Sequence, residues 1–146
     1  MIKKKLMCEA HQEFRADKRD IPKLKDFLTN ILRKWNVNEA KIHDIILASD
    51  EAATNIILHA YKEQNKKNSQ KKFNLILRKN DNVVQVVLED EGISFDISQV
   101  PQPDVSLNLA GKKRGGFGIY LMKMLMDKCS YRCNDGKNLT KLVKRI

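Results

Sequence analysis

Proline, glycine, cysteine and long apolar runs are all scarce in this sequence, and each shortage excludes a class of protein. Three Pro and six Gly among 146 residues, with 42% hydrophobic residues, favour an ordinary globular chain over a disordered or fibrous one. No apolar run has the roughly 20 residues needed to cross a bilayer, and no apolar segment of secretory length follows the basic N-terminus. We therefore expect a cytoplasmic protein of one domain, residues 1–146, closed around one core.

The cysteines are few and isolated. Cys8, Cys129 and Cys133 are odd in number, and the last two lie four residues apart with no His or further Cys nearby to complete a zinc site. Reduced, structural thiols are the expected state.

The net charge of +10 raises the question of nucleic acid, because basic surfaces attract phosphate backbones. The positive charges lie in a polar linker, beside a later glycine pair and at the C-terminus, without a basic helix or an interleaved aromatic platform. A solvated surface is therefore favoured over a groove for DNA or RNA. Strong retention on DNA at physiological salt would reverse this interpretation.

Hydrophobic periodicity predicts one strand and two helices in the first half of the chain. Alternation over 3–14 indicates the strand. A helix follows, with Asp20 as its cap and Pro22 in its first turn. Asn38 then begins a longer helix that runs to about 61, and an all-polar loop at 62–72 separates the helices from a sheet.

The second half reads mainly as strands. Segments 73–77 and 83–88 flank Asn80-Asp81-Asn82 and form a hairpin that places Asp90 at the end of its second strand. A helix at 118–126, a short strand through Tyr131 and Cys133, a turn at Asp135-Gly136 and a last strand at 139–143 follow. The fold expected is α+β, a two-layer sandwich with a mixed, mostly antiparallel sheet and helices on one face. The long aperiodic run at about 96–115 is of the kind that is usually functional, and we expect it to act as a lid.

Three short motifs carry candidate chemistry. Glu51 and Asn55 lie four residues apart on the second helix, so they share a polar stripe that continues to His59. Asp90-Glu91-Gly92 sets an acid and a flexible point at a strand end, and Gly116-Phe117-Gly118 opens a helix. An acid can accept a hydrogen bond from an exocyclic amine, an amide oxygen can bind Mg²⁺, and a glycine-rich helix start can face a polyphosphate. Together these motifs predict a nucleotide site.

In this order, the motifs resemble the Bergerat-type ATP site shared by gyrase B, MutL and the histidine kinases. Two longer phrases resemble, within that group, the anti-sigma-factor serine-protein kinases: Ser49-Asp50-Glu51-Ala52-Ala53-Thr54-Asn55-Ile56-Ile57-Leu58-His59-Ala60-Tyr61 and Arg114-Gly115-Gly116-Phe117-Gly118-Ile119-Tyr120-Leu121-Met122. The resemblance covers roughly residues 38–146 and, more loosely, the whole chain.

The resemblance implies a role for each matched residue. Asn55 matches the ligand of Mg²⁺, and Glu51 matches the general base that deprotonates a substrate serine. Asp90 matches the acid that binds the adenine amine. The remaining matches are Gly92, which lets the base lie close to the backbone, Gly116 and Gly118, whose amides face the phosphates, and Arg114, a γ-phosphate contact with Lys112 and Lys113 beside it.

Two positions depart from the family pattern. Ser94 stands where many relatives have a second glycine. The closing strand of relatives often bears a threonine that contacts adenine through water, and here either Asn138 or Thr140 could take that place.

The function implied is a cytoplasmic, ATP- and Mg²⁺-dependent serine-protein kinase that sequesters a sigma factor and phosphorylates an anti-anti-sigma (STAS-type) partner, with a homodimer suggested by analogy. One alternative is a non-catalytic nucleotide-binding module that sequesters a partner without phosphotransfer. Another is a histidine-kinase catalytic domain, which ranks last because the sequence has no room for a phosphoacceptor helix pair.

Overall fold

The structure is a computed structural model that describes residues 8–61, 71–93 and 117–146. The expected lid at about 96–115 lies outside the described residues, as do Ser94, Lys112, Lys113, Arg114 and Gly116. Within the described ranges, no helix has the length and apolar character that a membrane crossing requires.

In these three ranges five strands and three helices form the fold, and they confirm the α+β class expected from the sequence. In chain order they are β1 (Cys8–Arg15), α1 (Ile21–Lys34), α2 (Glu39–Asn55), β2 (Lys72–Lys79), β3 (Val83–Asp90), α3 (Phe117–Leu125), β4 (Lys128–Asn134) and β5 (Lys137–Arg145). A short 3-10 turn at Lys18–Asp20 leads into α1, and a π-helical turn at Ile56–Ala60 follows α2.

The sheet has the order β1-β2-β3-β5-β4, and every pairing between its described strands is antiparallel. Two local turns close its hairpins as predicted. Asn80 accepts hydrogen bonds from the backbone amides of Asn82 and Val83, and Asp135 and Gly136 adopt φ of 50° and 77° between β4 and β5.

One face of the sheet packs against the helices. Buried residues therefore alternate with more exposed ones along most of β2 and β3. The apolar residues on this face pack against the inward stripes of α1 and α2 in one core cluster, which includes Leu24, Leu28, Leu32, Ile42, Ile45, Leu75, Leu77, Val86, Leu88 and Leu142. On the same face, polar residues replace apolar ones where β3 ends and β5 begins. Asp90, Asn138 and Thr140 are buried there, and Asp90 lies opposite Asn138 in the register.

The expected side-chain cap of α1 is wrong. Asp20 occupies the N-cap position, but its carboxylate accepts hydrogen bonds from the backbone N and the guanidinium of Arg15 instead, at 2.8 to 3.2 Å. A capping side chain normally accepts from the second or third helical residue, and the second one here is Pro22, which has no N–H. The carboxylate therefore links the end of β1 to the start of α1.

Helix α2 begins as predicted and ends differently. The Asn38 side chain accepts from the Ala40 amide at 2.8 Å, which is an N-cap bond. Regular α-helix stops at Asn55, and the chain continues to Ala60 as the π-helical turn. This turn changes the helical register, and the His59 side chain is exposed rather than continuing the stripe of Glu51 and Asn55 into the fold.

Candidate nucleotide site

A small cleft opens between α2, α3 and the polar end of the sheet. The second helix supplies one wall and Met122 of α3 supplies another, while the floor comes from the sheet. The lining residues are Ala52, Asn55, Ile56, Ala60, Asp90, Ile93, Met122, Tyr131 and Thr140. An apolar cleft with a few convergent polar groups is the usual form of a small-molecule site.

Asn55 is the last residue of α2 and directs a polar side chain into this cleft. Its Nδ2 atom is buried and has no hydrogen-bond partner among the described residues. A buried amide without a partner costs about 1–3 kcal/mol, so a ligand that satisfies it would recover that free energy. Rotation of the amide plane places Oδ1 at the same position, and an amide oxygen is a suitable ligand for a hard cation. The residue therefore fits the binding of Mg²⁺ or of a phosphate oxygen.

Glu51 lies one helical turn before Asn55, on the side of α2 that meets α3. Its carboxylate is half-buried and lies directly against Gly118, in the first turn of α3. A Cβ built on Gly118 would overlap Oε2 of Glu51, so the missing side chain at 118 makes the space that the carboxylate occupies. The two residues that the sequence assigned to separate motifs are thus in contact.

The surroundings of Glu51 raise the proton affinity of its carboxylate. Burial raises the pKa of its carboxyl above the ordinary value, and the neighbouring Asp50 carboxylate raises it further, against a smaller opposing effect of Lys25. A higher pKa means a greater affinity for a proton at the moment of transfer.

Asp90 lies at the other end of the cleft and is 4% exposed. Its Oδ1 accepts two hydrogen bonds of 2.9 Å, from Nδ2 of Asn138 and from the backbone N of Gly92. The same Nδ2 of Asn138 donates to the Gly92 carbonyl, also at 2.9 Å. These three bonds define the position of the carboxylate within the strand end.

Gly92 is required by a close approach of backbone to backbone. A Cβ at this position would lie 2.6 Å from the carbonyl carbon and Cβ of Ala60 and would overlap the Ala60 carbonyl oxygen. The Ala60 oxygen accepts from the amide of Ile93, so the strand exit docks on the π-helical turn. The resemblance implied a different role for Gly92, which was to let the base lie close to the backbone, and that role stays a prediction.

Tyr61 also stabilises the junction between the π-helical turn and the exit of β3. Its hydroxyl donates to the Lys72 carbonyl at 2.7 Å and accepts from the Glu91 amide at 3.1 Å, and the residue is buried. The hydroxyl therefore joins the end of the π-helical turn to β2 and to the exit of β3.

Five of the residues predicted for the site occur in the described ranges, and all five border this region. Asn55 and Asp90 line the cleft, Gly92 adjoins Asp90, and Glu51 and Gly118 meet beside Asn55. Their roles stay predictions, as do those of Arg114 and Gly116. Sequence reasoning left Asn138 and Thr140 as alternatives; in the structure both face the helices, Asn138 bonding Asp90 and Thr140 lining the cleft. Tyr61 and Tyr131 gave no recognisable sequence signal.

Comparison with known proteins adds family relationships to this geometry. The model of the histidine kinase-like ATPase domain matches residues 14–144. Serine-protein kinase RsbW of Bacillus velezensis is 30% identical over 113 residues, which cover 75% of this chain and 68% of the relative. Serine-protein kinase RsbW of Staphylococcus aureus is 29% identical over 124 residues, which cover 81% of this chain and 76% of the relative.

Two solved structures share the fold. The RsbU and RsbW domains of a Mycobacterium tuberculosis protein align with a TM-score of 0.65 at 15% identity, over 95% of this chain and 32% of that one. The SiaB-SiaC complex from Pseudomonas aeruginosa aligns with a TM-score of 0.62 at 14% identity, over 98% of this chain and 92% of that one. The solved structures show the shared fold, whereas the family match and the curated relatives identify the family. The chain belongs to the histidine kinase-like ATPase family and, within it, to the serine-protein kinases of the RsbW type.

Proposed function

We propose that this protein transfers the γ-phosphate of ATP to a serine of a small protein partner and that the described cleft holds the nucleotide. The observation that carries the proposal is the arrangement of the cleft. Asn55, Ala60 and Asp90 line the cleft together, and Glu51 lies beside Gly118 one helical turn before Asn55.

Each residue has a distinct task in this proposal. Asp90 accepts a hydrogen bond from the adenine amine, and the Asn55 amide oxygen holds Mg²⁺ against the phosphates. When bound, Mg²⁺ neutralises negative charge on the phosphates. Glu51 accepts the proton of the serine hydroxyl as the serine oxygen forms its bond to the γ-phosphorus, and the bond from that phosphorus to the β,γ-bridging oxygen breaks to release ADP.

The partners follow from the family. We propose that the chain sequesters a sigma factor in the cytoplasm, that a STAS-type anti-anti-sigma protein releases it, and that phosphorylation of a serine on that STAS-type protein resets the exchange. A homodimer is the proposed assembly. Support for a protein partner comes from the solved neighbour SiaB, whose structure is that of a complex with SiaC.

Two substitutions separate nucleotide binding from transfer. Asn55→Ala should abolish Mg²⁺-dependent ATP binding, because it removes the amide that no described residue satisfies. Glu51→Gln should retain ATP binding and lower phosphotransfer by at least about a hundredfold, because a carboxamide cannot accept the serine proton. Calorimetry measures the first effect, and incorporation of radiolabelled phosphate into a STAS-type partner measures the second.

Matched controls come from the opposite face of the sheet. Glu89 pairs with Lys137 on that face at 3.2 Å, and Asn74 lies opposite Glu89, so Glu89→Gln and Asn74→Ala should leave both measurements unchanged. Normal transfer by Glu51→Gln would refute the role of the base. ATP binding by the unaltered protein with no labelled serine on any STAS-type partner would favour the non-catalytic module instead.

A further inference from the structure

Asn138 makes contacts that neither its place on a strand nor a role as simple core packing explains. The residue is 1% exposed and lies on β5 directly opposite Asp90. Its Nδ2 atom donates to the Asp90 carboxylate and to the Gly92 carbonyl, both at 2.9 Å. An amide nitrogen carries two hydrogens, so both donors of Asn138 are spent on the exit of β3.

The two bonds act on the same short segment, residues 90–93. Here the amide of Glu91 donates to the Tyr61 hydroxyl, that of Gly92 to Asp90, and that of Ile93 to Ala60. Asn138 adds the bond to the Gly92 carbonyl and joins it to the carboxylate. The orientation of the Asp90 carboxylate is therefore set by a buried donor from a neighbouring strand.

We propose that Asn138 is a positioning residue that orients the Asp90 carboxylate for recognition of the adenine amine. This inference rests on the proposed function, in which Asp90 accepts a hydrogen bond from that amine. The amides of Asn138 and Gly92 both donate to Oδ1 of Asp90, and the bond from Asn138 to the Gly92 carbonyl holds the same segment, so the carboxylate is fixed in the orientation in which it meets the base. A threonine in this place has one hydroxyl hydrogen, so it could not make both bonds.

Base discrimination tests the proposal directly. Purine riboside triphosphate differs from ATP only in lacking the exocyclic amine, so the ratio of the two affinities isolates the contact to Asp90. The unaltered protein should prefer ATP by roughly tenfold or more, since hydrogen bonds to a charged group are the strong ones. Asn138→Leu, similar in size and without donors, should bring that ratio close to one while binding of purine riboside triphosphate changes little.

A second variant covers the case in which Asn138→Leu does not fold. Asn138→Asp keeps the shape and sets two carboxylates side by side, so the pair retains a proton to higher pH than either carboxyl would alone. A protonated side chain at 138 donates to Asp90 again, and the preference for ATP should therefore recover as the pH falls from 8 to 5.5. Among the described residues, the ionisable groups near Asp90 are the Tyr61 hydroxyl, on which Asp90 acts, and the adjacent Glu91; both are present in the unaltered protein, whose ratio across the same pH range is the baseline.

Leu142→Ala is the control for lost stability. Leu142 is fully buried on the same strand and face, and it does not line the cleft. This variant should melt at a lower temperature and keep the preference for ATP.

The outcomes separate the two proposals. A preference retained in Asn138→Leu, or a pH-independent preference in Asn138→Asp, overturns the role of Asn138 and leaves the function standing. Equal affinity of the unaltered protein for both nucleotides overturns the role of Asp90, and that of Asn138 with it.

Discussion

Glu51 carries its charge where burial and the Asp50 carboxylate both oppose ionisation. Asp50 in turn forms an ion pair with Lys25 at 3.0 Å and accepts from the Thr54 hydroxyl at 3.3 Å. Burial, Asp50 of the same helix and Lys25 of α1 therefore set the proton affinity of one carboxylate.

Neutralising Asp50 should change the pH dependence of phosphotransfer. In the proposed mechanism transfer requires ionised Glu51, so activity should fall as the pH drops through the pKa of that group. Asp50→Asn removes a neighbouring negative charge and leaves the positive charge of Lys25, which lowers the pKa of Glu51 and moves the acid limb of the profile to lower pH. Rates of phosphate incorporation between pH 5 and 8 measure this shift.

The control is Asp44→Asn on the same helix. Asp44 pairs with Lys144 at 3.0 Å and is not one of the charges that shift the pKa of Glu51, so this variant should leave the limb in place. An unmoved limb in Asp50→Asn would mean that a group other than Glu51 sets the profile.

At the scale of elements, Asp20 joins β1 to α1 through three hydrogen bonds from Arg15, and its side chain is 7% exposed. Asp20→Ala would leave the Arg15 amide without its partner and should lower the free energy of unfolding by about 2 kcal/mol at pH 7. Bonding to Arg15 lowers the pKa of Asp20, so its stabilisation is present above the ordinary pKa of an aspartate and is lost as the pH falls through the lowered value. Urea denaturation at pH 7 and at pH 3 should therefore show a smaller effect of the substitution at the lower pH.

A surface ion pair provides the comparison. Glu39 pairs with Arg33 at 2.7 Å with both side chains exposed, and Glu39→Gln should change stability little at either pH. An equal effect of Asp20→Ala at both pH values would show that the charge of Asp20 is not what joins the two elements.

Sequence reasoning found the elements whose signals are local. Asn38 caps α2, Asn80 closes one hairpin and Asp135-Gly136 closes another, each through bonds or backbone angles within a few residues. The π-helical turn after Asn55 and the bonding of Asp20 to Arg15 were not foreseen, because both depend on where another element lies.

In the candidate site, too, local relationships were predicted from the sequence and long-range contacts were not. The convergence of Glu51 and Asn55 follows from four-residue spacing on a helix and was predicted. The bond from Asn138 to Asp90 joins residues 48 positions apart, and the contact between Gly92 and Ala60 requires a strand to end on a helix. Such contacts depend on the register of β3 with β5, which composition and periodicity do not specify.

At the scale of the whole molecule, the cleft is lined by residues of both the helical layer and the sheet. Lys144 of β5 pairs with Asp44 of α2 and donates to the Leu125 carbonyl at the end of α3, so one side chain holds the two helices to the sheet. A nucleotide bound between Asn55 and Asp90 would bridge the same layers from inside the cleft.

Nucleotide should therefore stabilise the entire fold. A ligand that binds only the folded state at a hundred times its Kd adds about 2.7 kcal/mol, which for a domain of this size raises the Tm by roughly 8 °C. Scanning fluorimetry with ATP and Mg²⁺ should show this rise, and chelation of Mg²⁺ should reduce it, because chelation removes the metal that Asn55 is proposed to hold. Asn55→Ala should melt at the same temperature with and without Mg²⁺, whereas Asn74→Ala should behave as the unaltered protein. A full rise in the presence of chelator would show that the phosphates are held without the metal and would remove Asn55 from its assigned role.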